Sequence, residues 1–145
     1  MPISIRERIL QNVRTTLATV LAPYSGTVTR GHLSPLEQFG LPFASILAVS
    51  DTPVYEVGVL NRELLWTARL WIDDEADNAA VTLETLMGEV QAGLMLDTTR
   101  GGYAQHTLEQ GVQYLYVVST ERLAGADIHW QCPYKTTFSD PSQGV

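Results

Sequence analysis

A strand, an acidic turn and an amphipathic helix follow one another between Leu64 and Leu96, and no other stretch constrains the fold as tightly. Along Leu64–Ile72 the side-chain period of two puts Leu64, Trp66, Ala68, Leu70 and Ile72 on one face. That face is apolar without exception, so it belongs on the core. Leu65, Thr67, Arg69 and Trp71 fall on the other face. Asp73-Asp74-Glu75-Ala76-Asp77 makes the turn, and its carboxylates suit the positive end of the helix that follows. Asp77 or Asn78 caps that helix, expected over about 78–96. Ala79, Leu83, Leu86, Met87, Val90 and Leu94 recur on it at helical spacing and form one stripe. One apolar sheet face followed by one apolar helix stripe predicts a helix packed on a sheet.

The rest of the chain fits around this unit. A first helix is expected over about 4–21, with Ser4 and Glu7 in a capping-box arrangement and Ile5, Ile9, Val13, Leu17 and Val20-Leu21 as its stripe. Pro23 ends it. Residues 23–42 form a long connection with a short strand at Thr27–Arg30 and one helical turn near 36–39. A connection of that length is often functional or ordered against a partner. Phe43–Val49 is almost continuously apolar and reads as a central strand covered on both faces. Ser50-Asp51-Thr52-Pro53 reads as its break, Val54–Leu60 as a strand or loop edge, and Asn61-Arg62 as a turn. Asp97–Gly102 is a strong stop signal. A strand region over 104–119 carries Gly111 as a bulge, and after a turn at 120–125 the last strand runs over 126–134. Residues 135–145 read as an extended C-terminal tail. The expected fold class is α+β, a single domain in which a mostly antiparallel β-sheet packs with two main α-helices.

At 145 residues the chain can bury a core without disulfides, and its single cysteine, Cys132, excludes an intrachain disulfide or a cysteine-based zinc site. No apolar run reaches membrane-span length, and the polar N-terminus reads as a helix start rather than a signal peptide, which predicts a cytoplasmic place of synthesis. Sixteen acids against nine bases give a net charge of −7. The bases stand singly along the chain, which disfavours direct nucleic-acid binding.

The chemical candidates are few. The acidic turn lacks the glycine and closing glutamate of a calcium loop, so capping acids are the simpler reading. His32, His106 and His129 are far apart, and neither a paired-histidine helix motif nor a nucleophile elbow occurs. Cys132 alternates with Trp130 and Ile128 and reads as core, as does Trp66. Leu65, Arg69 and Trp71 form an aromatic-plus-arginine face that suits a subunit interface, or else is covered by the second helix. No catalytic, cofactor-binding or metal-binding residue is assigned.

Three stretches resemble the tail-terminator (tail-completion, or minor tail protein U-like) family of long-tailed bacteriophages. The first is the N-terminal helix with its loop and the Pro42–Val49 strand. The second is Leu64–Ile72 leading through acids into the Ala79–Leu96 helix. The third is Ala124–Thr136, with Asp140-Pro141 soon after. In similar proteins the last strand ends in an aromatic–basic–threonine pattern, here Tyr134-Lys135-Thr136. Pro133 departs from the family's unbroken strand and marks a strand end or an edge position. The resemblance implies a structural, non-enzymatic virion protein of the tail or neck, made in the host cytoplasm, without a cofactor. It implies a homo-oligomeric ring, usually of six subunits, that caps the tail tube and stops its polymerisation. The ring then meets the head–tail connector, and DNA passes through it without specific binding. A negative chain suits such a channel, with carboxylates expected at the inner rim.

A closing ring needs two different complementary patches per subunit. The candidate contact residues are Leu65, Arg69 and Trp71 on the strand face, Arg30 and His32 in the 23–42 connection, Tyr55 and Arg62 in the 51–62 segment, and Lys135 at the start of the tail. Two other readings compete. One is a different phage neck, head-closure or baseplate component of similar fold. The other is a small α+β enzyme or ligand-binding domain, which would need two of the three histidines and a carboxylate in one apolar pocket.

Overall fold

The computed structural model describes residues 3–31, 42–56, 59–73, 79–118, 122–137, 140, 142 and 144. Their order is α1 (Ile5–Leu21), a 3-10 turn (Ala22–Tyr24), β1 (Thr27–Arg30), β2 (Phe43–Glu56), β3 (Val59–Asp73), α2 (Ala79–Met95), β4 (Leu108–Val118) and β5 (Arg122–Thr136). The strands form one sheet in the order β1-β2-β3-β5-β4. β1 lies parallel to β2, and the other three pairs are antiparallel. The α+β class read from the sequence is the observed one. The helical turn expected near 36–39 lies outside the described residues, as does most of the acidic turn.

Alternation sorts the side chains of the central strands. Leu64, Trp66, Ala68, Leu70 and Ile72 of β3 join Ala124, Ala126, Ile128, Trp130, Cys132 and Tyr134 of β5 in one core. The stripes of both helices close over that same face. α1 lies against β1 and β2, and α2 against β3 and β5. The helices touch each other at Gly93, where a Cβ would stand 2.6 Å from Val20 Cγ2, so α2 approaches α1 closely only because that position has no side chain. Trp66 and Trp130 are direct cross-strand partners and stack with ring centroids 5.7 Å apart.

Local chemistry sets the helix ends. Ser4 Oγ accepts the Glu7 N–H at 3.1 Å and caps α1. The Glu7 carboxylate is engaged elsewhere, by Arg30 of β1 at 2.9 and 3.2 Å. α2 stops where Asp97 folds back on Thr99 and Gly101 and where Arg100 turns under the helix. The Arg100 guanidinium is buried and donates to the carbonyls of Leu94 and Asp97, so a cation sits at the negative end of the helix.

Three sequence expectations are corrected. Ser50–Pro53 does not break β2. The strand continues to Glu56, with a bulge between Ala48 and Ser50, because the ladder with β3 outweighs the local turn preference and because β1 pairing ends at Ile46, so that among the described residues Pro53 has a partner strand on one side only. Asn61 and Arg62 are not a turn but sit inside β3, opposite Val54 and Pro53. β5 begins at Arg122 and runs through Pro133 to Thr136, so Lys135 belongs to a strand rather than a tail. Pro133 is tolerated because β4 pairing ends at Gln131, which leaves no partner for the missing N–H on that side. The bulge expected at Gly111 is present, with φ of 128°.

Gly125 of β5 lies directly opposite Trp71, and the indole covers it. A Cβ there would fall 2.5 Å from the Leu70 carbonyl oxygen and 2.6 Å from Trp71 Cε3. Gly125→Ala is therefore expected to destabilise the fold by about 1–3 kcal/mol, as overpacking against backbone does. Urea unfolding of the two proteins measures it; an unchanged midpoint would show that the indole moves aside freely.

Candidate assembly surfaces

Because both helices occupy one face, the second face of the sheet carries no helix among the described residues. The sequence left two fates for Leu65, Arg69 and Trp71, interface or cover by the second helix. No helix supplies that cover. Trp71 is buried against Phe43 and Leu123, with Leu115 beside them, as a small second cluster within the sheet itself. Arg69 forms a two-pronged pair with its cross-strand neighbour Asp127, Nε to Oδ1 at 2.7 Å and Nη2 to Oδ2 at 2.9 Å. The hydrogen bond to Asp127 raises the arginine's already high pKa. Thr67 Oγ1 and His129 Nδ1 lie 2.9 Å apart one row further along. Leu65 is half-buried, and with Val49, Thr67, Gln110 and His129 it lines a shallow, mainly apolar groove of about 220 Å³. Asp127 neutralises Arg69, and the groove beside them offers apolar and neutral-polar groups outward.

The β2–β3 hairpin forms an arm beyond the short β1, and Asp51 ties its base to α1. Arg6 Nη1 reaches Asp51 Oδ2 at 2.9 Å and Arg62 Nη1 reaches Oδ1 at 3.4 Å. The Tyr134 hydroxyl also donates to Oδ2. Burial, and then that bond to a carboxylate, push the phenol pKa up, so Tyr134 stays a donor at any working pH. Asp51 itself is 8% exposed, with one arginine from α1 and one from β3 around it.

The predicted contact residues fall in separate places. Arg30 ends β1 and holds Glu7 of α1. Arg62 belongs to the Asp51 node. Tyr55 is on β2 opposite Leu60, and its side chain lies outside the described residues, as does His32 altogether. Lys135 borders a groove of about 320 Å³ with Arg8, Tyr103 and Gln105, where the Arg8 guanidinium lies 5.3 Å from the Tyr103 ring centre. The structure brings together Leu65, Arg69 and Trp71 and sets Arg30, Arg62 and Lys135 apart from them. Asp51, Arg6, Tyr134 and Asp127 were missed. Their sequence signal was a lone acid or tyrosine in a strand, or for Arg6 a lone arginine on a helix, and only the tertiary fold gives each its partner.

Among the described residues no histidine pair forms a site. His106 Nδ1 accepts the N–H of Thr107, and His129 faces Thr67. Among the described residues no three histidine, cysteine or acidic side chains converge as metal ligands. Cys132 is buried and accepts the Trp66 indole N–H at 3.3 Å. Burial pushes its thiol pKa up, which makes it inert.

No protein-family model and no curated protein matches this sequence. Among solved structures, a chain in the virion of a native gene transfer agent particle superposes with a TM-score of 0.51 at 8% identity, covering 90% of this chain and 93% of that one. At that identity the likeness is one of fold. A second match is to the sheath/tube terminator structure of an extracellular contractile injection system in its extended state. It has a TM-score of 0.38 at 14% identity over 92% of this chain and 59% of that one.

Asp51→Ala would leave two guanidinium groups and a buried phenol without their common acceptor. The expected loss is about 1–3 kcal/mol, since a buried donor is orphaned while the arginines keep partial solvation. Thermal unfolding measures it. Tyr134→Phe should lose less, and a larger loss for Tyr134→Phe than for Asp51→Ala would show that the node does not depend on the carboxylate.

Proposed function

We propose that this chain is a structural protein of a phage-like tail: a tail terminator whose copies, six in the arrangement that the family resemblance implies, close into a ring on the end of the tail tube. The observation that carries the reading is the match of nearly the whole chain, end to end, to a chain of a gene transfer agent virion. The family resemblance of the Pro42–Val49, Leu64–Leu96 and Ala124–Thr136 stretches points the same way. In this reading the ring stops tube growth, presents one rim to the head connector and lets DNA slide through its centre. The chain's net charge of −7 favours passage over binding.

The contact surfaces divide by chemistry. Leu65 and its groove provide an apolar contact, with Arg69 and Trp71 holding the shape of the surface beneath. Arg62 with the hairpin arm, Lys135 with its groove, and Arg30 provide polar contacts at the margins, and His32, two residues after Arg30 in the sequence, is a further candidate contact. Tyr55 lies toward the tip of the arm.

Light scattering over a concentration series, with negative-stain images of the same sample, tests this reading. The expected result is a ring with a central hole, in solution or on the ends of added tail tubes, and tubes that stop elongating once capped. Tubes that grow unchecked in the presence of excess protein, with no density at their ends, would remove the terminator assignment.

A further inference from the structure

We infer that successive copies of this chain join edge to edge, β4 of one copy pairing antiparallel with β1 of the next, so that the sheets run on from subunit to subunit. The inference rests on the ring-forming reading and adds to it the elements that meet.

The first support is the composition of β4. It is an outermost strand, and among the described residues no strand pairs with its outer side. Outer strands of monomeric proteins are blunted by lysine, by proline or by brevity. β4 is eleven residues long, and from Gly111 to Val118 it contains no charged residue and no proline. Val112 and Tyr114 are 36% and 45% exposed there. A long, uncharged, exposed outer strand of this composition is an association hazard unless something covers it.

The second support is the geometry of the opposite edge. β1 runs with β2, β3 runs against β2, β5 against β3 and β4 against β5. β1 and β4 therefore point in opposite directions at the two ends of one sheet. They also stand level. Following the register across the sheet, Thr29 shares a row with Ser45, Arg69, Asp127 and Gln113, and Thr27 shares one with Phe43, Trp71, Gly125 and Leu115. A rotation about an axis along the strands carries β4 of one copy to β1 of the next without sliding. The pair so formed is antiparallel, with Gln113 opposite Thr29 of the neighbouring copy. Because the two edges differ, the contact is head-to-tail and can close into a ring. The alternative outer segment, β2 beyond Ile46, is interrupted by its bulge and by Pro53.

Paired cysteines test this. Within one chain, positions 29 and 113 are separated by four inter-strand spacings, about 19 Å, too far for a disulfide. Directly opposite residues of an antiparallel pair have Cβ atoms about 5 Å apart. The double variant Thr29→Cys/Gln113→Cys should give a ladder of covalent oligomers under mild oxidation, and each single variant none. Backbone amides of 27–30 and 111–118 in the unaltered protein should gain protection from hydrogen exchange on assembly. Val112→Lys, an edge-blunting change at an exposed position, should raise the concentration needed for assembly about tenfold or more while leaving thermal unfolding of the monomer in place. Rings with no ladder and unprotected edges would overturn the pairing and leave the terminator reading standing. A ladder and protected edges in open filaments would keep the pairing and sink the terminator reading. Covalent dimers from Gln113→Cys alone would show β4 meeting β4 and overturn it, as would a chain that stays monomeric and unbridged at every concentration.

Discussion

The register between β3 and β5 is the constraint on which everything else in this molecule depends. Trp66 faces Trp130, Ala68 faces Ile128 and Leu70 faces Ala126, while on the opposite side Arg69 faces Asp127 and Trp71 faces Gly125. A slip of one residue would turn every one of these side chains to the wrong face. It would carry the indoles out of the helical core and drive the Arg69–Asp127 pair into it. The tryptophan stack within the core and the ion pair outside it therefore select the same register from opposite faces. β2 and β4 add to the two sides of this central pair, and each helix finds its seat on the apolar surface it creates.

Placing both helices on one face has a cost that the second face absorbs. A five-stranded sheet with one face lacking a helix must keep that face both stable and wettable. Phe43, Trp71 and Leu123 bury one another there, and the indole uses the space that Gly125 leaves. Arg69 and Asp127 satisfy each other, and Thr67 meets His129. What remains outward is a mildly apolar groove around Leu65 and Val49. Such a surface suits protein contacts better than nucleic acid, because Arg69 is already paired with Asp127 and the described residues of the face offer no array of cations to a phosphate backbone.

The edges complete this division of labour. On one side β1 covers only Phe43–Ile46, and beyond it β2 carries a bulge and a proline. On the other side β4 is uncharged from Gly111 onward. Asp51, gripped by Arg6, Arg62 and Tyr134, ties the hairpin arm to the first helix. In the proposed ring such a tie would matter, since small angular errors add up around a closed ring.

Much of the fold was legible because its signals are local. Helical spacing placed α1 and α2 within a residue of their observed ends, strict alternation sorted β3 into its two faces, and Gly111 marked its bulge. The same local reasoning failed at Ser50–Pro53, where turn-forming residues were held extended by the ladder to β3, and at Asn61-Arg62 for the same reason. The candidate contact surface was less legible. Leu65, Arg69 and Trp71 were correctly set on one face, yet nothing in their spacing says that Asp127 neutralises the arginine or that a glycine receives the indole. Those partners lie 58 and 54 residues away and meet only through the β3–β5 register. The sequence by itself determined which residues turn inward on each helix and strand, because that depends on periods of 3.6 and 2. Only the tertiary structure decided that both helices share one face and that β1 and β4 stand level at opposite edges, because strand order and register arise from contacts between segments far apart in the chain.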